Sequence, residues 1–436
     1  MPKITFMGAG STVFAKNVVG DCMLTPALSN ADIALYDIDR QRLEESQTML
    51  VNLKQSLGSP VRIEAYLGTA QRRDALAGAD YVVNSIQVGG YEPATVTDFQ
   101  IPKKYGLDQT IGDTLGIGGI FRALRTIPAV LDFARDMNEV CPDAWFLNYV
   151  NPMAMITKAV LDAGGIQAVG LCHSVQGCAS HLLEALGIRA EKLKWTVAGI
   201  NHQAWLLEIK DGDKDLYPEV KARAAERSAR EKHGDMVRYE IMKHFGYYVT
   251  ESSEHSAEYM PYWIKKRYPE LIERFNIPID EYPRRCVAQI EGWVRQREDL
   301  INRRDISHER THEYASYIME AIETDSPFRI HGNVLNRGLI TNLPREAVVE
   351  VPCLVDRNGI TPCVVGDLPS QCAALNRTNI NVQLLTVEAA LTASRDKVYQ
   401  AALMDPHTAA ELSIDDIISL CDDLIEAHGN WLPPLH

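Results

Sequence analysis

From Lys3 to Cys172 the chain alternates short apolar segments with amphipathic ones, and this rhythm restricts its fold more than any other feature. The apolar segments are "KITFMG" (3–8), "DIALYDI" (32–38), "RIEAYLG" (62–68), "DYVVNSIQV" (80–88), "AWFLNYV" (144–150) and "QAVGLC" (167–172). Between them lie helical patterns from about Ser11, from Arg40 to about Ser56, from about Ile120 to Val140, and on to about Ala163. Strands that are apolar on both faces belong in a parallel sheet covered by helices on both sides. The expectation is an α/β protein whose residues 1–190 form a Rossmann-like, doubly wound parallel sheet.

After Gly187 the rhythm changes. "LKWTVAGINHQAWLLEIK" (193–210) reads as long strands closed by "DGDK", and charged helical stretches follow at about 217–246, 283–303 and 308–323. "VVEVPCLVDRNGITP" (348–362) reads as a strand pair around an Asn-Gly turn, and a long helix is expected near 379–404. Residues 191–436 are therefore expected to form a mixed α+β, mainly helical domain for substrate, metal and oligomerisation. A homo-oligomer, dimer or tetramer, is the expected assembly.

Composition narrows the functions open to such a chain. A net charge of -14, with no basic cluster, excludes a partner held by its phosphate backbone. No apolar run approaches the roughly 18 residues needed to span a bilayer, so no membrane partner is expected. "MPKITFMGAG" opens on a strand rather than a charged-then-apolar leader, so cytoplasmic residence is expected. Nine irregularly spaced cysteines make no disulfide framework; most should be small buried apolar groups.

"GAGSTVF" (8–14) follows the first strand and opens the first helix. Gly8 permits a tight turn, and Gly10 lets backbone approach a pyrophosphate at the helix N-terminus; Ala9, Ser11 and Thr12 complete the cradle. The third glycine of the dinucleotide fingerprint is replaced by Val13. Asp37 closes the second strand, where a carboxylate would bind the adenosine ribose and repel a 2′-phosphate. NAD is thus expected ahead of NADP, with Arg40 nearby keeping both open.

"DQTIGDTLGIGGI" (108–120) surrounds Asp113 with glycines ahead of a helix, as a ligand loop or a flexible connection would. "NYVNPM" (148–153) ends a strand with Asn148 and Asn151, whose amides suit sugar hydroxyls, a nicotinamide amide, or turn chemistry. Cys172 ends a strand at the same edge with His173 and Ser174 beside it, and "AGINHQAW" places His202 in a strand of the second half. As residue types, this Cys and His read equally as packing or as metal ligands. "VTESSEHSAEYMPY" (249–262) concentrates Glu251, Glu254, His255, Glu258 and Tyr259, either a solvated face or a general acid/base cluster.

Taken together, "GGYEPATVTDF", "QTIGDTLGIGGIFRALRTIP", "NYVNPMAM", "GLCHSVQG", "AGINH", "VTESSEHSAEY" and "MDPHTAA" resemble glycoside hydrolase family 4, the NAD- and Mn2+-dependent glycosidases, and within it the α-galactosidase branch. The resemblance covers nearly the whole chain. It implies Cys172 and His202 as protein ligands of Mn2+ or another divalent cation, Asn151 as a substrate-binding amide, and Asp113 as the acid that raises the basicity of the catalytic base. His173 stands where relatives carry the proton donor. Tyr248, Glu251, Glu254 and His255 are the candidates for the base.

The implied chemistry differs from that of paired-carboxylate glycosidases. A hydride leaves C-3 of a terminal sugar for NAD, the C-2 proton becomes acidic, the aglycone is eliminated, water adds, and the hydride returns. Three rivals share some of these residues. A hydroxy-acid or sugar-acid dehydrogenase would accumulate NADH. A galacturonidase or glucuronidase would ask for an arginine such as Arg122, Arg125, Arg284 or Arg285. A non-enzymatic NAD sensor would have no reason to keep Cys172, His202 and Asn151 together.

Overall fold

Thirteen strands form a single sheet, here described from a computed structural model covering residues 1–436, the side chain of Gln296 excepted. In chain order they are β1 (Lys3–Met7), β2 (Asp32–Asp37), β3 (Arg62–Leu67), β4 (Tyr81–Asn84), β5 (Trp145–Asn148), β6 (Gln167–Gly170), β7 (Leu193–Ile200), β8 (Gln203–Asp211), β9 (Lys214–Asp215), β10 (Tyr248–Val249), β11 (Phe328–Leu335), β12 (Val348–Asp356) and β13 (Gly359–Pro362). The main path runs β10-β8-β7-β12-β11-β6-β5-β4-β1-β2-β3.

The six N-terminal strands pair in parallel in the order β3-β2-β1-β4-β5-β6, the doubly wound arrangement expected from their apolar faces. Phe6, Leu35, Val83, Leu147 and Val169 pack on one side of the sheet; Met7, Tyr36, Val82 and Phe146 pack on the other. The helix Thr12–Leu24 covers the first side and the long helix Gly116–Val140 the second.

β11 joins the outer edge of β6 antiparallel, through Asn333 opposite Gly170, and the second half continues the sheet as β12, β7, β8 and β10. The connection between β6 and β7 runs through the helix Ser174–Ala185 and past residue 190, while the sheet itself is continuous from β6 through β11 and β12 to β7. This juncture puts the carboxyl ends of β4, β5 and β6 against the turn between β7 and β8. In doubly wound sheets that end of the strands is where ligands bind.

Several boundaries differ from the pattern-based expectation. The helix expected at 379–404 is two, Ser370–Thr392 and Arg395–Met404, separated at Ala393, whose φ of 53° ends the first. The stretch 217–246 also divides, into Tyr217–Arg230 and Met236–Phe245. The region 80–88 keeps strand geometry only to Asn84. His202 is not in a strand: it forms, with Asn201, the turn between β7 and β8 at φ 61°. β12 and β13 are the hairpin expected around Asn358-Gly359.

Candidate active site

The loop after β6 carries Cys172, His173 and Ser174 into a cavity of about 320 Å³ that is also lined by Asp113, Asn151, His202, Glu251 and His255. Seven site residues marked from sequence, Asp113, Asn151, Cys172, His173, His202, Glu251 and His255, are thereby brought to one cleft from five separate segments, the last two from the stretch after β10. Cys172 and His202 are buried, and their donor atoms lie within 4.8 Å of each other and of a Glu251 oxygen. A thiol, an imidazole and a carboxylate at that spacing form a donor set for a borderline divalent cation.

Each of these side chains is held by neighbours. Nε2 of His202 faces a Glu251 carboxylate oxygen at 3.7 Å, while Nδ1 lies 3.2 Å from the Tyr259 hydroxyl. Cys172 Sγ is 3.1 Å from Ser174 Oγ. Burial, together with the Glu350 and Glu251 carboxylates, pushes the Cys172 thiol well above its ordinary pKa, so the metal-free sulfur keeps its proton. Burial opposes charge on Glu251, but the rings of His202 and His255 hold its carboxyl below the usual value.

Asp113 sits in the glycine-rich loop ahead of the helix Gly116–Val140. Its carboxylate accepts from Thr114 Oγ1 at 2.7 Å and from Asn151 Nδ2 at 3.2 Å, and His255 Nε2 approaches to 3.7 Å. Burial works against ionisation there, yet His255 and the Arg122 guanidinium hold the Asp113 carboxyl well below the usual range. Arg122 donates to the Asn151 carbonyl at 3.2 Å and to the Tyr282 hydroxyl at 3.1 Å, fixing the cleft's floor. His255 Nδ1 pairs with Ser252 Oγ at 2.9 Å, leaving Nε2 for Asp113 or a substrate.

His173 meets Glu313 at 2.6 Å, and this hydrogen bond raises the ring above its ordinary pKa against the opposing effect of burial. Glu258, fully buried, accepts from the backbone N–H groups of Thr110, Ile111 and Gly112 at 2.6–3.2 Å. Burial raises its carboxyl to about 7 against the pull of those N–H groups. The same loop is held from the C-terminal end of the chain, where His407 Nε2 donates to the Asp108 carbonyl at 2.8 Å. That contact gives the "MDPHTAA" segment a structural reason to accompany the site.

Two candidate bases lie elsewhere. The Tyr248 hydroxyl donates to Asp235 at 2.9 Å and its ring stacks under Arg238, buried outside the cavity wall. Glu254 pairs with Arg285 at 3.3 Å and does not line the cavity. Asn148 also turns inward. Its Oδ1 accepts from Asn84 Nδ2 at 2.9 Å and its Nδ2 donates to the Val150 carbonyl, so it braces the ends of β4 and β5 rather than presenting an amide.

The dinucleotide-type turn lies beside this cleft. Gly8 has φ 87°, and a Cβ on it would come within 2.9 Å of the Ser85 and Ile86 backbone, so no other residue fits without displacement. The Gly10 N–H donates to Asp37 Oδ2 at 2.6 Å. Ser11 precedes the helix Thr12–Leu24 without capping it through its side chain, which leaves the helix start open to an anion. Ile38, 73 % exposed beside Asp37, offers an apolar surface for a flat ring.

Sequence reasoning gave no role to Ser174, Tyr282 or Glu313, left Glu258 and Tyr259 inside an undivided acid/base cluster, and weighed Arg122 only as a partner for a substrate carboxylate. Tyr259 and Glu258 had a usable signal, since they follow His255 by one helical turn on the short helix Ser253–Glu258. Glu313 and Tyr282 had none, because they approach from helices remote in sequence.

Residues 3–188 match the family described as family 4 glycosyl hydrolase, and residues 197–408 match its C-terminal domain. An α-galactosidase of Bacillus subtilis (strain 168) is 62% identical over 433 residues, covering 99% of both chains. An α-galactosidase of Rhizobium meliloti (strain 1021) is 36% identical over 99% of this chain and 89% of its own. A 6-phospho-α-glucosidase from gut microorganisms, solved in complex with NAD and Mn2+, superposes with a TM-score of 0.79 at 21% identity over the full length of both. The chain belongs to family 4 of the glycosyl hydrolases.

Proposed function

We propose that the protein is an α-galactosidase that hydrolyses terminal, melibiose-type α-galactosides by redox, elimination and addition, using NAD and Mn2+ or another divalent cation. The observation that carries this reading is the meeting of the Cys172 and His202 donors with Asp113, Asn151 and His255 in one cleft beside the Gly8–Thr12 turn. The activity of the Bacillus subtilis and Rhizobium meliloti relatives supports the galactoside. The NAD and Mn2+ bound to the 6-phospho-α-glucosidase support the cofactors.

The residues present fit both groups. Gly8, Ala9, Gly10, Ser11 and Thr12 would cradle a pyrophosphate at the uncapped helix start, with Asp37 available to the ribose. Cys172 and His202 would hold the cation, the thiol giving up its proton to bind it. When bound, NAD would supply a hydride acceptor for C-3 and the cation would supply Lewis-acid polarisation that makes the C-2 proton acidic.

His255 removes the C-2 proton through Nε2, with Asp113 beside it stabilising the charge the ring gains. His173, kept protonated by Glu313, gives its proton to the glycosidic oxygen as the C-1–oxygen bond breaks. Asn151, fixed by Arg122 and Asp113, holds a sugar hydroxyl through its amide. Water then gives its hydroxyl to C-1 and its proton to His173, while His255 returns a proton to C-2 and the hydride would go back to C-3.

A neutral sugar suits the cleft better than a uronide. Arg285, the arginine nearest the substrate opening, is already neutralised by Glu281 at 2.9 Å and Glu254 at 3.3 Å. Arg122 is committed to Asn151 and Tyr282, so neither is free for a substrate carboxylate.

No helix among the described residues is long and apolar enough to cross a membrane. Nine unpaired cysteines suit a reducing cytoplasm. A homo-oligomer fits the exposed apolar row Val287, Ile290 and Val294 on the helix Glu281–Asn302. Nitrophenyl α-galactoside, β-galactoside, α-glucoside and α-galacturonide, each assayed with NAD, Mn2+ and a thiol, test the reading. Turnover confined to the α-galactoside supports it; preference for the galacturonide overturns the specificity.

A further inference from the structure

Two residues with left-handed backbone converge on the Cys172 sulfur. His202 has φ 61° and Glu251 has φ 64°, and neither is glycine. Such conformations persist only where the surrounding structure enforces them, and they concentrate at ligand-holding positions. Here they bring an imidazole nitrogen and a carboxylate oxygen to within 4.8 Å of the same thiol, from the β7–β8 turn and from the segment after β10.

The carboxylate is also short of charged partners. Among the described residues, the basic nitrogens within ion-pair range of Glu251 are His202 Nε2 at 3.7 Å and His255 Nδ1 at 3.5 Å. Both are beyond good hydrogen-bond length, and His255 Nδ1 is already engaged by Ser252 Oγ at 2.9 Å. A mostly buried carboxylate left this way is costly unless a charge compensates it. Cys172, as thiolate, and Glu251, as carboxylate, supply two negative charges, the number that neutralises one divalent ion; neutral His202 completes the set.

We infer that Glu251 is a third protein ligand of the divalent cation rather than the catalytic base. The inference rests on the Cys172–His202 metal site proposed above. It removes Glu251 from the proton-transfer step and leaves His255, paired with Asp113, as the group that takes the C-2 proton. It also explains the backbone strain, which a base reached through solvent would not require.

The test uses metal-free full-length protein and reads metal binding, not turnover. Mn2+ is titrated into wild type, Glu251→Gln, Cys172→Ser and His255→Gln, with free Mn2+ followed by its paramagnetic resonance signal. Co2+ is added in parallel to read the ligand set by visible absorption, and NAD binding checks that each variant is folded. Glu251→Gln should lose at least tenfold in Mn2+ affinity and change the Co2+ ligand-field bands, while His255→Gln keeps both. A Glu251→Gln protein with less than tenfold loss, or with wild-type Co2+ bands, overturns the inference, and Cys172→Ser losing metal in the same series shows that the site itself stands. Wild type and Cys172→Ser binding Mn2+ alike would overturn the underlying metal reading instead.

Discussion

The Tyr259 hydroxyl stands 3.2 Å from Nδ1 of His202, while Nε2 of the same ring faces Glu251 at 3.7 Å. With Nε2 presenting its lone pair to a cation, Nδ1 carries the proton and donates it to the phenol oxygen, which fixes both tautomer and ring orientation. Tyr259→Phe keeps the packing and removes that acceptor. Mn2+ affinity should fall by roughly 10–100-fold with NAD affinity unchanged. Calorimetric titration of both ligands checks this; undiminished Mn2+ binding would show that the hydroxyl does not orient the ring.

Cys172→Ser separates the two ligand sites. The sulfur takes no part in the Gly8–Thr12 turn, so hydrolysis should vanish while NAD binding stays close to wild type. Loss of NAD affinity in that variant would contradict the division of roles. Asp37→Ala addresses the other site: its carboxylate should repel a 2′-phosphate, so the variant's NAD/NADP affinity ratio should drop. An unchanged ratio counts against Asp37 as the ribose contact.

Much of this was legible in sequence, and the exceptions have physical reasons. The parallel half was readable because Phe6, Leu35, Val83 and Leu147 alternate across the sheet with Met7, Tyr36, Val82 and Phe146, which leaves β1, β2, β4 and β5 apolar on both faces. β11 was not, since "FRIHGNVL" buries Arg-flanked His331 and Asn333, the latter bonded to buried Glu350 at 3.0 Å. A polar cluster inside a sheet erases the apolar pattern that marks a strand. The Asn201-His202 turn was hidden for the opposite reason: its flanks are apolar on both sides, so His202 read as part of a strand. In the cleft, Cys172, His202, Asp113 and Asn151 come from separate segments that only the sheet order brings together.

Glu258→Ala should expose how the Asp113 loop is held. The carboxylate accepts from three consecutive backbone N–H groups, and removing it leaves those donors buried without a partner. A stability loss of roughly 3 kcal/mol in denaturant unfolding is expected. Glu258→Gln retains one acceptor oxygen and should lose less. Equal stability of Glu258→Ala and wild type would mean that the loop holds itself.

His331 sets an acid limit on stability. Burial, with the Arg329 charge, depresses its ring from 6.5 to about 3, and Nε2 has no hydrogen-bond partner. The unfolded chain therefore takes a proton below pH 6.5 that the folded chain refuses until about pH 3. Stability contributed by the neutral ring is complete above pH 6.5 and is lost as the pH falls through that window, at up to about 1.4 kcal/mol per unit. His331→Phe should flatten this limb of the unfolding curve between pH 6.5 and 4; an unaltered slope would assign acid sensitivity to other groups.

Hydrolysis of nitrophenyl α-galactoside in D2O tests the proposed chemistry most directly. In that chemistry His255 would take the C-2 proton at the wall of an open cleft, so proton return would draw on solvent, whereas displacement at the anomeric carbon never breaks the C-2–H bond. The galactose released in a single turnover, analysed by proton resonance and mass spectrometry, should carry one deuterium at C-2. Galactose with only protium at C-2 would contradict the account.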